Sequence, residues 1–289
     1  MRKQYLEENR HTFDCLAARS PEEAKSMNTA QLREAFLIDQ LFASDRVCAA
    51  YSMQDRMIAL GVMPAKKAIS LPIYKELTKA DYFLERREMG IINVGGKGAV
   101  TVNKKEYVLN KKDALYIGQG NQDIEFASES ENTPALFYCN SAPAHASHPT
   151  TQINQSSVEP LTLGDAATAS YRKLYQCIIP SRVKSCQLVM GFTELLNGSV
   201  WNTTPPHTHK RRMESYFYFD LPKEQMLIHL MGEPTETRHL IVRNHQAVIS
   251  PEWSIHCGAA TSSYAFVWAM AGENQDFADM DKLTLEELF

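Results

Sequence analysis

Residues 201–220 read WNTTPPHTHKRRMESYFYFD, and the spacing of His207, His209 and Glu214 within them organises the reading of the whole chain. Strand side chains alternate between faces, so histidines two positions apart look the same way. A glutamate five residues after the second histidine, past a short basic turn, returns to that side on the next strand. Two imidazoles and one carboxylate converging at a strand pair suit a first-row divalent cation such as zinc. A fourth ligand is then wanted from elsewhere.

The surroundings of this stretch read as β-structure. From Asp81, the short runs GIINVGG, GAVTV, EYVLN, DALYIG, DIEFAS and ALFYCN are separated by Gly, Asn, Asp and Lys turns, the spacing of a sandwich or barrel. Gly95–Gly98 (GGKG) is followed by no helix pattern, so it is a tight turn rather than a phosphate loop. Residues 140–165, rich in Ser, Thr, Pro and Asn, form a linker or long surface connection, with His145 and His148 as an exposed pair. The β pattern resumes in KLYQCII, CQLVMGFTELL, SYFYFDL, QMLIHLMG, RHLIVRN, QAVIS and SYAFVWAM, and the chain ends in a short helix, KLTLEELF. Residues 1–45 are expected to be helical, with Asn28 and Gln31 as a capping box and Leu32, Phe36, Leu37 and Leu41 as the apolar stripe.

Composition bounds the function classes. The chain has 289 residues, 44% hydrophobic and 22% charged, with a net charge of −4 and no long block of one sign, which excludes nucleic acid and acidic membranes as main partners. Six scattered cysteines with no CxxC pair read as reduced thiols of a cytoplasmic protein. No window reaches 18 apolar residues and the N-terminus has no apolar signal core, so neither a membrane span nor a signal peptide is expected.

Two internal matches point to a duplicated unit. YVLNKKDALYIGQGNQD (107–123) aligns without a gap on LIVRNHQAVISPEWSIH (240–256), setting Ala114 on Ala247 and Asp123 on His256. DYFLERRE (81–88) aligns on HTHKRRME (207–214), setting Glu88 on Glu214 and leaving the double arginine one position out of step. The first unit therefore lacks the histidines, and a metal site belongs to the second half. The same alignment nominates His256, which strand pairing can bring beside His207 and His209.

HTHKRRME followed by PEWSIH resembles the two motifs of a cupin, a small β-barrel whose metal site uses HxH, a glutamate and a late histidine. His207, His209 and Glu214 fall on the first motif and His256 on the second, whereas the motif glycines are replaced by Trp201, Leu221 and the PEW turn. The segments DYFLERREMGIINVGGKG, NTTPPHTHKRRMESYFYF, GEPTETRHLIV, NHQAVISPEWSIHCG and GENQDFADMD are more specifically similar to the 5-keto-4-deoxyuronate isomerases (4-deoxy-L-threo-5-hexosulose-uronate ketol-isomerases), a bicupin family. The resemblance implies a mainly β double cupin with short flanking helices: an N-terminal helical segment 1–45, a degenerate unit 46–150 without metal, and a metal-binding unit 151–289. It also implies one Zn²⁺ per subunit, a keto-uronate substrate in pectin and uronate breakdown, a cytoplasmic location and a homohexamer.

The chemistry such an enzyme needs nominates further residues. A ketol isomerisation moves a proton between adjacent carbons, which calls for a base and for a cation that polarises the two oxygens. Tyr218, on the face of Glu214, and Glu194, on a preceding strand, are candidate proton carriers. Arg238 is the candidate clamp for a substrate carboxylate, with Gln187 and Trp201 as further wall residues, while Arg211 and Arg212 are expected at the surface or a subunit contact. Two other functions use the same ligand set: a metal-dependent cupin dioxygenase with iron, and a non-catalytic sugar-binding bicupin.

Overall fold

The structure is a computed structural model and describes residues 3–6 and 12–289. Two large sheets are each backed by a four-stranded sheet. The first large sheet orders its strands Lys3–Leu6, Thr12–Leu16, Arg46–Ser52, Ile58–Met63, Phe137–Pro143, Arg87–Asn93, Ala114–Ile117 and Thr151–Ile153. Its backing sheet is Ile69–Ser70, Ile124–Ser128, Gly98–Val102 and Lys105–Leu109. The second large sheet orders Leu161–Leu163, Arg172–Ile178, Val189–Leu195, Ala265–Gly272, Arg212–Phe219, Ala247–Ser250 and Leu37–Ile38. It is backed by Trp201–Asn202, Cys257–Ala260, Leu227–Glu233 and Glu236–Val242, and a two-stranded ribbon joins His207–Thr208 to Asp281–Lys282. This is the mainly β, two-unit architecture expected from the sequence.

Burial follows from the layering. Gly98–Val102 in a backing sheet alternates buried and half-buried residues, as a strand with one wet face must. Arg87–Asn93 and Arg212–Phe219 are buried at every position, because each has a barrel interior on one side and the other unit on its other. Apolar side chains fill three clusters. One includes Leu60, Ile91, Val100 and Phe137 inside the first unit, and another Val189, Tyr218, Leu240 and Phe266 inside the second. The third joins the units: Tyr138 stacks on Phe217 at 4.1 Å between centroids, and the Tyr138 and Ser215 hydroxyls lie 3.0 Å apart.

The repeat is visible in the strand pairing, with one correction. Ala114 pairs with Ile92 and Ala247 with Phe217, which bears out the equivalence of Ala114 and Ala247. Carried along the same ladders, the position opposite Ile117 is Met89 and the position opposite Ser250 is Glu214. Met89, not Glu88, is therefore the counterpart of Glu214, and Arg87 that of Arg212, so the double arginines do fall in step. Glu88 points to the other face, where Tyr116 Oη and the backbone N–H groups of Cys186, Gln187 and Leu188 donate to its carboxylate.

The N-terminal segment is less helical than expected. The Asn28–Gln31 capping box is present and opens the helix Thr29–Phe36, which buries Leu32 and Phe36. The helix stops at Leu37, because Leu37–Ile38 pairs with Val248 and Ala247 at the edge of the second large sheet. Thr12–Leu16 is a strand, parallel to Arg46–Ser52 in the first sheet, while residues 1–2 and 7–11 lie outside the described residues. Thr151–Ile153 pairs with the first sheet, and the C-terminal helix is one 3₁₀ turn, Leu285–Glu287.

Candidate metal centre

His207 sits in the ribbon strand His207–Thr208, and His209 follows it into a turn closed by the Arg212 N–H donating to the His209 carbonyl at 3.1 Å. That turn feeds the strand carrying Glu214, while His256 comes from the entry to Cys257–Ala260. Four side chains from three strand segments thus meet, with one donor atom of each lying within 4.8 Å of all the others. Around the group, His207 Nε2 is 3.1 Å from His209 Nε2, which is 3.1 Å from Glu214 Oε2. Glu214 Oε2 is 3.0 Å from His256 Nε2, which is 3.1 Å from His207 Nε2. Bonds of about 2.0–2.2 Å to a shared first-row cation place adjacent donors roughly 3 Å apart, so the spacing fits such an ion.

The ring orientations prepare the same atoms. His209 Nδ1 lies 2.9 Å from the Asp279 carbonyl, which can only accept, so Nδ1 carries the proton and a neutral ring presents its Nε2 lone pair to the group. His256 Nδ1 is held 3.2 Å from Ser250 Oγ. Burial, then the neighbouring His256 and His209, push His207 down to about 2, so it is neutral at pH 7. Burial alone would raise Glu214, but His256 and His209 outweigh it and hold the carboxyl well below its usual range. A neutral imidazole and an ionised carboxylate are the forms that bind metal.

Three of the four, His207, His209 and Glu214, line a cavity of about 400 Å³. Tyr216, Phe266, Trp268 and Met270 line it from the large sheet, Arg172, Leu174 and Thr193 from the neighbouring strands, and Thr203–Pro206 from the approach to His207. The remaining wall is the C-terminal strap, through Phe277, Met280, Lys282 and Leu283. Arg212 ties the strap down: its guanidinium donates to the carbonyls of Asp276, Phe277 and Asp279 at 2.6, 3.2 and 3.2 Å. Arg211 pairs with the Asp279 carboxylate and reaches Asp281 at 3.3 Å. Arg212, expected at the surface, is thus fully buried, since the strap folds over it.

The candidate catalytic and substrate residues lie elsewhere. Tyr218 is sealed in the barrel interior, its hydroxyl 2.6 Å from His229 Nδ1, and does not line the cavity. Glu194 alternates away from Thr193 and pairs with Lys112 of the first unit. Arg238 lies on the outer sheet, paired with Glu236 at 2.6 Å and donating to the Lys25 carbonyl. Gln187 donates to the Pro143 carbonyl at 2.7 Å between the units, and Trp201 is 37% exposed on the outer sheet. Beside His207, His209 and Glu214, the cavity's polar side chains are Arg172, Tyr216, Thr193, Thr203, Thr204 and Lys282. Alternation from Glu214 does place Tyr216 on the ligand face. No local pattern marks Arg172, which comes into place through pairing with residues 189–195.

The profile of the KduI/IolB family matches residues 43–287. The 4-deoxy-L-threo-5-hexosulose-uronate ketol-isomerase of Lachnoclostridium phytofermentans is 52% identical over 94% of this chain and 98% of its own length. That of Formosa agariphila is 51% identical over 96% and 98%, and that of Yersinia pseudotuberculosis 49% identical over 92% and 96%. Among solved structures, an IolB-like protein from Salmonella typhimurium LT2 is similar with a TM-score of 0.65 at 16% identity, over 78% of this chain and 87% of that one. A Bacillus subtilis oxalate decarboxylase is similar at 0.54 and 10% identity, over 79% and 71%. These two likenesses show the fold, a double cupin.

Proposed function

Because this chain belongs to the KduI/IolB family, we propose that it is a zinc-dependent uronate ketol-isomerase. The reaction is the interconversion of 5-dehydro-4-deoxy-D-glucuronate and 3-deoxy-D-glycero-2,5-hexodiulosonate, in the breakdown of pectin-derived uronates. The observation that carries this reading is the convergence of His207, His209, Glu214 and His256, three of them lining a cavity, in a chain about half identical to named ketol-isomerases. In this proposal those four residues hold one Zn²⁺ per subunit, and the protein works in the cytoplasm as a homohexamer.

Bound there, zinc would supply redox-silent Lewis acidity to a ketol group, a carbonyl beside a hydroxyl-bearing carbon. The chain's own residues supply exclusion of water and a hydrogen-bond donor. The apolar wall of Phe266, Trp268, Met270 and Phe277 keeps water from an enediol-like species. Burial and the Glu214 charge push Tyr216 well above its ordinary pKa, so its hydroxyl stays protonated and donates to a substrate oxygen. Glu194 and Tyr218 have no part in this scheme, because neither reaches the cavity.

The test is turnover of the keto-uronate by purified protein, its loss on chelation and its return with Zn²⁺. Oxygen uptake with iron-loaded protein would overturn the isomerase reading in favour of a dioxygenase. Saturable sugar binding without turnover would favour a binding module.

A further inference from the structure

We propose that Arg172 is the residue that recognises the carboxylate of the substrate, a specificity role that rests on the uronate reading above. Arg172 opens the strand Arg172–Ile178 and lines the same cavity as His207, His209 and Glu214. It is half-buried, and among the described residues its guanidinium makes one hydrogen bond, from Nη1 to the Ser170 carbonyl at 2.8 Å. Among the described residues no carboxylate is within ion-pair distance of it, and the charged-state partners it feels are the phenols of Tyr216 and Tyr264. A partly desolvated guanidinium without an anion is costly, and burial accordingly lowers its pKa. Such a group is kept where an anion arrives.

The contrast with the other arginines is sharp. Arg211 is matched to Asp279 and Asp281, Arg238 to Glu236, and Arg212 is consumed by strap carbonyls. Lys282, the other cation at the cavity, is exposed on the ribbon and free to be solvated. Tyr216, which also lines the cavity, relates the two groups: its ring centroid is 5.2 Å from that of His256, and its phenol interacts electrostatically with Arg172. A uronate held by Arg172 at its carboxylate therefore has its other end directed toward the four-residue group. The planar guanidinium can meet a carboxylate with two parallel N–H donors, which an ammonium cannot.

The experiment compares wild type, Arg172→Ala, Arg172→Lys and Lys282→Ala as zinc-loaded holoenzymes, with metal content measured for each. The substrates are the keto-uronate and its neutral methyl ester. We expect Arg172→Ala to raise KM for the acid roughly 100-fold, with Arg172→Lys only partly restoring it. The preference of wild type for acid over ester should collapse in Arg172→Ala, and added guanidinium ion should recover part of the lost rate. Lys282→Ala should change KM only several-fold. Wild type that turns over the acid while Arg172→Ala keeps both its KM and its acid-over-ester preference would overturn this assignment and leave the isomerase reading standing. Wild type that turns over neither substrate would overturn the isomerase reading itself. Should Arg172→Ala lose zinc or fold, the Arg172→Lys variant decides: an unchanged acid-over-ester ratio there counts against the assignment.

Discussion

At the residue scale, the four converging side chains form the most sharply testable feature. His207→Ala and His256→Ala each remove one Nε2 donor from a buried group whose neighbouring donors are 3.0–3.1 Å apart. We expect both variants to lose bound metal and turnover together, by elemental analysis and rate assay; full turnover without metal in either would refute a catalytic zinc. Tyr218→Phe tests the opposite case. It removes the hydroxyl partner of His229, whose Nε2 already has no partner among the described residues, and does not touch the cavity. The expected result is an unchanged KM and a loss of roughly 1 kcal/mol in stability, read by urea denaturation. The ligand set was legible in the sequence because HxH and the following glutamate are local and obey strand alternation. The pocket residues were not, since Arg172 and the strap reach the cavity through pairings with distant strands. Arg238 and Gln187 had the right chemistry, but only their partners reveal that Glu236 and the Pro143 carbonyl already claim them.

At the scale of elements, two contacts shape the cavity. Arg212 holds the strap to the ligand strand, and the strap's Asp279 carbonyl orients His209. Arg212→Met keeps the bulk but removes the guanidinium from three strap carbonyls, leaving that of Phe277 with no donor among the described residues. We expect it to lower stability by roughly 2–4 kcal/mol and to weaken metal affinity about 10- to 100-fold, measured by competition with a chelating dye. The other contact is the close approach at Gly191, where a Cβ would lie 2.2 Å from the Tyr175 carbonyl oxygen and 2.4 Å from Trp268 Cζ2. Gly191→Ala should therefore displace Trp268 from the cavity wall and change KM more than it changes zinc content. The strands around the site were readable from period-two runs. The strands at residues 12–16 and 37–38 were not, because tertiary pairing overrides the helical pattern that local sequence offers there.

At the scale of the whole molecule, the two units share a core. Tyr116, Tyr138 and Ile92 from one pack with Tyr175, Phe217 and Val267 from the other. The two units are expected to unfold together, and the melting of one while the other stays folded would refute the shared core. Acid should destabilise the fold. Burial pushes His229 down to about 3, so between its ordinary value of 6.5 and about 3 the unfolded chain binds a proton that the folded chain refuses. Stability is then full above about pH 6.5 and falls as the pH drops, which denaturation midpoints at pH 7.5, 5.5 and 4.5 will show. The duplicated plan was legible because ladder registers preserve sequence spacing, whereas the placement of Glu88 was not, a one-residue shift being enough to turn a side chain to the other face.

The short strand Leu37–Ile38 completes the edge of the second large sheet by pairing with Val248 and Ala247, about 210 residues further along the chain. On a ribosome adding about 5–20 residues per second, that partner emerges roughly 10–40 s after the strand itself. That short strand must therefore wait for its partner through most of the chain's synthesis, and a late seam of this fold is closed by one of its earliest-made pieces.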